Sequence, residues 1–192
     1  VKFNETASRG ALVALLVAVG VASRLAQDVC PWLPPNFQAV AGTALFAGFL
    51  FRSRAMALLV PLAAMAISDQ VIGGYDRVVM IAVYGSLALP VLFGNWLERR
   101  LSATRVVGAA VASSVLFFLL TNLAVWSAWY PHTTEGLARC YLRAVPFFAY
   151  TFAGDLFFAG SLFGVYWLAT AAARRHHVAP CQIAGQPLAV EC

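Results

Sequence analysis

The chain has 192 residues, of which 61% are hydrophobic and 11% charged, with a formal net charge of +5. That balance excludes a soluble globule, in which about a quarter of residues are charged. It also excludes nucleic-acid binding as the meaning of the positive charge, because membrane topology accounts for where the basic residues fall.

Apolar runs about long enough to cross ~30 Å of hydrocarbon as a helix recur along the sequence. No period-2 alternation bounded by turns supports a β-barrel. The expected fold class is all-α: a polytopic membrane protein of about six transmembrane helices. Residues 1–177 would form a single domain, and 178–192 a short tail.

The first run, Gly10 to Ala26, follows Lys2, Glu5 and Arg9. Positive residues before an apolar segment also mark signal peptides, but Leu25-Ala26-Gln27-Asp28-Val29-Cys30 offers no A-x-A site. Val29 is also a poor residue before a lipoprotein cysteine, so the run is expected to stay as helix one. Ala14, Ala18 and Ala22, with Ala11 and Gly20 near them, give it a face of small residues at helical spacing. Such a face lets another helix approach backbone to backbone. Packing inside the chain's own bundle and docking to a separate protein are both open.

Cys30-Pro31-Trp32-Leu33-Pro34-Pro35 is a rigid connector, because proline fixes φ and withholds a donor. Asn36 then opens helix two as its N-cap, although a place at a helix mouth also suits ligand contact. This helix runs to about Phe51, with Gly42 and Gly48 on a small-residue face. After the basic turn Arg52-Ser53-Arg54, helix three extends from Ala55 to about Ile72, with Pro61 placed to kink it. Asp69, near its end, is expensive alone in hydrocarbon. It is expected to face a cavity or a partner, or to pair with Arg77.

Helix four spans Val78 to Leu97 and contains Tyr84 and Pro90; Glu98-Arg99-Arg100 and Arg105 close the turn to helix five, Val106 to Trp126. Asn122 lies deep in that run, where an amide commonly bonds across helices for ~0.6 kcal/mol on average. Trp126, Trp129 and Tyr130 mark a membrane–water boundary. The following Tyr130-Pro131-His132-Thr133-Thr134-Glu135-Gly136-Leu137 is too polar for hydrocarbon. A short apolar stretch holding Arg139, Cys140, Tyr141 and Arg143 comes next, and Pro146 is expected to break it. A plain anchor needs none of this polarity, so residues 113–148 are read as a pocket or gate.

The last helix is expected from about Tyr150 to Ala173. It carries Asp155, which can reach the interface or pair with Arg139 or Arg143, and Gly160-Ser161-Leu162-Phe163-Gly164, a GxxxG packing signature. Arg174-Arg175-His176-His177 stops it. His176, His177, Cys181 and Cys192 fit no standard zinc spacing, so no metal site is expected. The four scattered cysteines establish no redox compartment, and a Cys30–Cys140 disulfide has no support from spacing. No H-E-x-x-H, G-x-S-x-G or G-x-x-x-x-G-K-[ST] motif appears, so neither enzymatic activity nor an ATPase of its own is expected. No cofactor is assigned.

Six spans put both termini on one side. Lys2, Arg9, Arg52, Arg54, Arg99, Arg100, Arg105, Arg174 and Arg175 then share that side, and Arg24, Arg77, Arg139 and Arg143 the other. The positive-inside rule places the termini in the cytoplasm. Polar and aromatic residues gather on the exterior side, as an outward-facing small-molecule pocket requires. The candidate ligand-binding residues are Asn36, Asp69, Asn122, Trp126, Tyr130, Arg139, Tyr141 and Asp155. The candidate docking residues are Ala14, Ala18, Ala22, Gly160 and Gly164.

Several stretches resemble a bacterial membrane family of unknown function: Asn36-Phe37-Gln38-Ala39-Val40-Ala41 running into Leu45-Phe46-Ala47-Gly48, and Pro61-Leu62-Ala63-Ala64-Met65 running into Ser68-Asp69. So do Leu116-Phe117-Phe118-Leu119-Leu120-Thr121-Asn122 with Trp126, Tyr130-Pro131, Gly136-Leu137, Cys140-Tyr141 and Pro146-Phe147-Phe148. That family is similar in outline to the substrate-binding S components of energy-coupling-factor transporters. The resemblance implies a six-helix bundle in a bacterial inner membrane, an outward-facing pocket, and a first helix that docks a coupling subunit through small residues. No ligand carries over. Two function classes therefore stand: capture of a small ligand for an ATP-driven importer, or a non-catalytic subunit packed into a larger membrane complex.

Overall fold

A computed structural model describes residues 5–30 and 32–177. Among these the only regular structure is helical: α1 (Glu5–Val29), α2 (Val40–Leu50), α3 (Arg54–Ile72), α4 (Arg77–Ser86), α5 (Ala88–Leu97), α6 (Ala103–Trp129) and α7 (Thr134–His177). Five rods are long and apolar enough to cross a membrane: α1, α3, α4 with α5, α6 and α7. Large apolar side chains cover the outside, including Leu59, Ile81, Leu142 and Leu168. An apolar exterior on helices of this length is that of a multi-pass membrane protein.

The sixth rod, α2, is short. Its 11 residues rise about 16 Å, roughly half of the hydrocarbon thickness. It is nonetheless the hub, packing against α1, α3, α5, α6 and α7, and residues 42–48 are all buried. Close approach explains its small residues: a Cβ on Gly48 would meet the Val91 carbonyl, and one on Gly94 would meet the carbonyl of Leu45. On another side of α2, Phe46 and Phe49 pack on Phe163 of α7, both with ring centroids 5.2 Å apart.

The contacts fix the relative directions. Gly20 meets Ala64, and Arg24 meets Met65 and Asp69, so α1 and α3 run parallel. Gly42 meets Phe158 and Phe49 meets Tyr166, so α2 runs parallel to the second half of α7. Ser114 meets Asp155 and Leu119 meets Tyr141, so α6 and α7 are antiparallel. The segments 32–39, 73–76 and 130–133 therefore share one end of the bundle, and 51–53 and 98–102 the other.

Several boundaries differ from those read in the sequence. Helix two starts at Val40, not Asn36: Asn36 sits at φ 63°, a left-handed conformation away from the extended one typical of an N-cap. Asparagine is among the few non-glycine residues that visit it readily. Pro146 does not break α7, which runs through it for 44 residues, about 66 Å. The proline is exposed, and α6 braces the helix on both sides of it, at Tyr141 and Phe148. Packing of that kind supports a proline within a membrane helix. The fourth span is interrupted at Leu87. Pro90 withholds the N–H that would bond residue 86, and it falls in the first turn of α5, where no donor is needed. Side-chain caps start three other helices: Ser53 for α3, Asp76 for α4 and Ser102 for α6.

Cys30 and Cys140 are both free thiols. The tail 178–192, with Cys181 and Cys192, lies outside the described residues, as do the side chains of His176 and His177.

Candidate functional site

A cavity of about 410 Å³ with polar and aromatic lining lies at the end of the bundle that holds residues 32–39, among α2, α3, α4, α6 and α7. It is a cleft, not a sealed void, since Asn36 and Phe147 of its lining are exposed.

Its first wall depends on the polar end of α1. Ser23 Oγ accepts from the Ala39 N–H at 2.9 Å. Gln27 Nε2 donates to the carbonyls of Pro34 and Phe37 at 3.0 and 3.1 Å, and its oxygen accepts from Gln38 Nε2 at 3.0 Å. Residues 32–39 are not helical, so their backbone groups need partners that hydrocarbon cannot provide. Ser23 and Gln27 supply them, four positions apart on one face of α1. This anchoring delivers Asn36 and Gln38 to the lining.

Arg24, between them, is buried and also lines the cavity. Its Nη2 donates to Asp69 Oδ1 at 2.6 Å, its Nη1 meets the Met65 sulfur, and its Nε has no partner among the described residues. Tyr84 OH donates to the other carboxylate oxygen of Asp69 at 2.8 Å. Both members of the ion pair are 8% exposed at the side chain. Asp69 thus stands behind Arg24 and not in the cavity lining. Tyr75, in the loop before α4, borders the same space. Burial first, and the Asp69 carboxylate second, raise the pKa of its phenol, which keeps it a neutral donor.

The opposite wall carries Asp155, 5% exposed. Its Oδ2 accepts from Ser114 Oγ at 2.6 Å. No protein donor reaches Oδ1 among the described residues. Beside it Ser113 Oγ is buried with no partner among the described residues, and Ser113 and Asp155 border one small void next to Gly42. Phe117, Phe118, Phe147 and Phe148 cover much of the space between the walls. Asn122 adds a polar group there; its Nδ2 donates to the Phe118 carbonyl at 2.8 Å, which leaves its oxygen free to accept.

Of the ligand candidates named from the sequence, the structure brings Asn36, Asn122 and Asp155 into the lining, with Asp69 one residue behind it. Trp126, Tyr130, Arg139 and Tyr141 lie elsewhere. Trp126 Nε1 donates to the Pro131 carbonyl at 3.0 Å, and its ring packs on His132. Tyr130 caps the end of α6. Arg139 pairs with Glu135 one turn away, both exposed. Tyr141 OH donates to the Leu119 carbonyl at 2.7 Å. With Thr133 Oγ1 accepting from the Gly136 N–H, the polar stretch after α6 bonds mostly to itself, closing the α6–α7 turn.

Neither acid has the basic partner suggested by the sequence. Asp69 takes Arg24 and not Arg77, because α1 and α3 run parallel side by side. Asp155 takes a serine and not Arg139 or Arg143, which lie more than two turns earlier on α7. Sequence reasoning missed Ser23, Arg24 and Gln27, although three polar residues within five positions of an apolar helix were a visible signal.

The docking candidates sit on the outside. Ala14, Ala18, Ala22 and Gly160 are exposed and Gly164 is half-buried. A Cβ on either Gly160 or Gly164 would meet nothing within 4 Å. The glycine pair that does pack within the chain is Gly48 with Gly94.

No curated protein and no solved structure matches the chain. A family profile does, over residues 4–179. The membrane helices and the cleft between them all fall inside that match, and the chain belongs to the family of unknown function DUF6580.

Proposed function

We propose that this chain is a membrane-embedded capture protein: it takes a small organic ligand into the cleft between its two polar walls. It hands the ligand to an importer whose ATPases are on other chains, in the manner of energy-coupling-factor S components. One observation carries this reading. A cavity of about 410 Å³, lined by aromatic rings with a few polar groups converging on it, has the size and character of a small-molecule site. In a bacterial inner membrane, the basic-residue asymmetry sets both termini in the cytoplasm and His132 outside, which opens the cleft outward. Thiol labelling of a cysteine introduced at His132 in intact cells checks that orientation, and labelling only after permeabilisation would reverse it.

A second reading, a non-catalytic subunit of a larger membrane complex, draws on the uncovered small-residue faces at Ala14, Ala18 and Ala22 and at Gly160. Purification of the tagged chain from its native membranes separates the two. A coupling subunit with ATPases supports capture for import, an unrelated membrane complex supports the second reading, and a chain recovered alone refutes both. Ala18→Leu should keep expression and weaken any co-purification, since overpacking a close helix contact costs about 1–3 kcal/mol.

A further inference from the structure

From the charge balance of the cleft, and resting on the reading that it takes a small ligand, we infer that its ligand is an organic ammonium. The cationic nitrogen sits on Asp155, and an apolar or aromatic body lies among the phenylalanines of α6 and α7.

The two buried charged groups of the lining differ in what they still require. Arg24 needs no anion, because Asp69 stands 2.6 Å away and is itself held by Tyr84. Asp155 has one serine hydroxyl on Oδ2 and, among the described residues, no cation. Ser114 carries a single proton, and its oxygen also lies 3.0 Å from the Ala110 carbonyl, so a full compensating bond to the acid is not assured by this residue alone. A buried carboxylate without a counter-charge is one of the most unfavourable arrangements in a protein. An acid so placed gains most from a cation that enters the cleft at Oδ1.

Shape then selects the class of cation. A bare inorganic ion would fill a small part of about 410 Å³ and leave Phe117, Phe118, Phe147 and Phe148 without a partner. An ammonium on an apolar body fills both regions, and aromatic faces attract a cation further. A polar group at the far end of the ligand would meet Asn122, eight residues along α6 from Ser114.

The test uses the full chain in detergent with three probes of one shape: 2-phenylethylamine, 2-phenylethanol and phenylacetate, at millimolar concentration. Binding is read as a shift of the unfolding midpoint and by native mass spectrometry. The amine should bind, the alcohol weakly, and phenylacetate not at all. Asp155→Asn should weaken the amine by on the order of a hundredfold, as for loss of one partner of a buried charge pair, and Asp155→Glu should restore part of it. Ala144→Phe, which fills the cleft from α7, should abolish all binding while the chain still folds, which excludes a surface site. Equal binding of amine and alcohol, or amine binding that survives Asp155→Asn, overturns the ammonium assignment and leaves the cleft as a ligand site. A midpoint shift produced by sodium in place of N-methylglucamine and lost in Asp155→Asn overturns it in favour of an inorganic cation. No shift with any probe overturns the cleft as a ligand site as well.

Discussion

Asp69 and Asp155 are both acids buried among membrane helices, on opposite sides of one cleft, yet their surroundings differ in kind. Asp69 has an arginine on one oxygen and a tyrosine on the other, and neither oxygen is left over. Asp155 has a serine on one oxygen and, among the described residues, no donor on the second. A fully connected polar network holds helices in place, while a partly connected one leaves a group available to something else. The first arrangement joins α1, α3 and α4; the second sits where α6 and α7 face the cleft.

The comparison breaks most visibly at Asp69. Asp69→Leu strands the buried Arg24 guanidinium and should lower the unfolding free energy by about 3–5 kcal/mol, measured by denaturation in mixed micelles. Adding Arg24→Met should recover most of that loss, because the double variant buries no charge. If the double variant is no better than the single, the pair is not what locks α1 to α3. Tyr84→Phe removes one bond to a charged group and should cost about 1.5–3 kcal/mol in the same measurement. Asp155→Asn, without ligand, should change stability by less than about 1 kcal/mol or raise it, since it removes a charge that no protein cation balances. A loss as large as that of Asp69→Leu would mean the two acids play the same structural part. The smallest effect belongs to Asn36→Gly, within about 0.5 kcal/mol, because glycine accepts the left-handed backbone at least as readily.

The sequence carried the helices better than the site. Apolar runs and polar turns located the rods because lipid demands length and hydrophobicity from each span separately, a property readable one segment at a time. Helix two started late because Asn36 looks like a cap in sequence, and only its backbone angle shows that it is not. Pro146 looked like a break because the brace that sustains α7 comes from α6. The acids were found as acids, since any charge inside an apolar run stands out. Their partners were not, because Arg24 lies 45 positions from Asp69 and Ser114 lies 41 from Asp155, distances that only helix packing closes. The polarity around Trp126 and Tyr130 lies at the cleft's end of α6 but just beyond its lining, and most of it holds the α6–α7 turn together.

The shortness of α2 has a consequence for how the protein is made. A segment rising about 16 Å is too short to lodge across a bilayer by its own hydrophobicity. The surfaces that bury it, Val91 and Gly94 of α5 and Phe163 of α7, emerge from the ribosome afterwards. When α1 and α3 are already threaded, the chain between them has no stable second crossing. That crossing is completed by assembly and not by insertion, once the last helix arrives. A chain truncated before residue 150 should therefore still enter the membrane, but with α2 unseated and residues 30–53 open to protease.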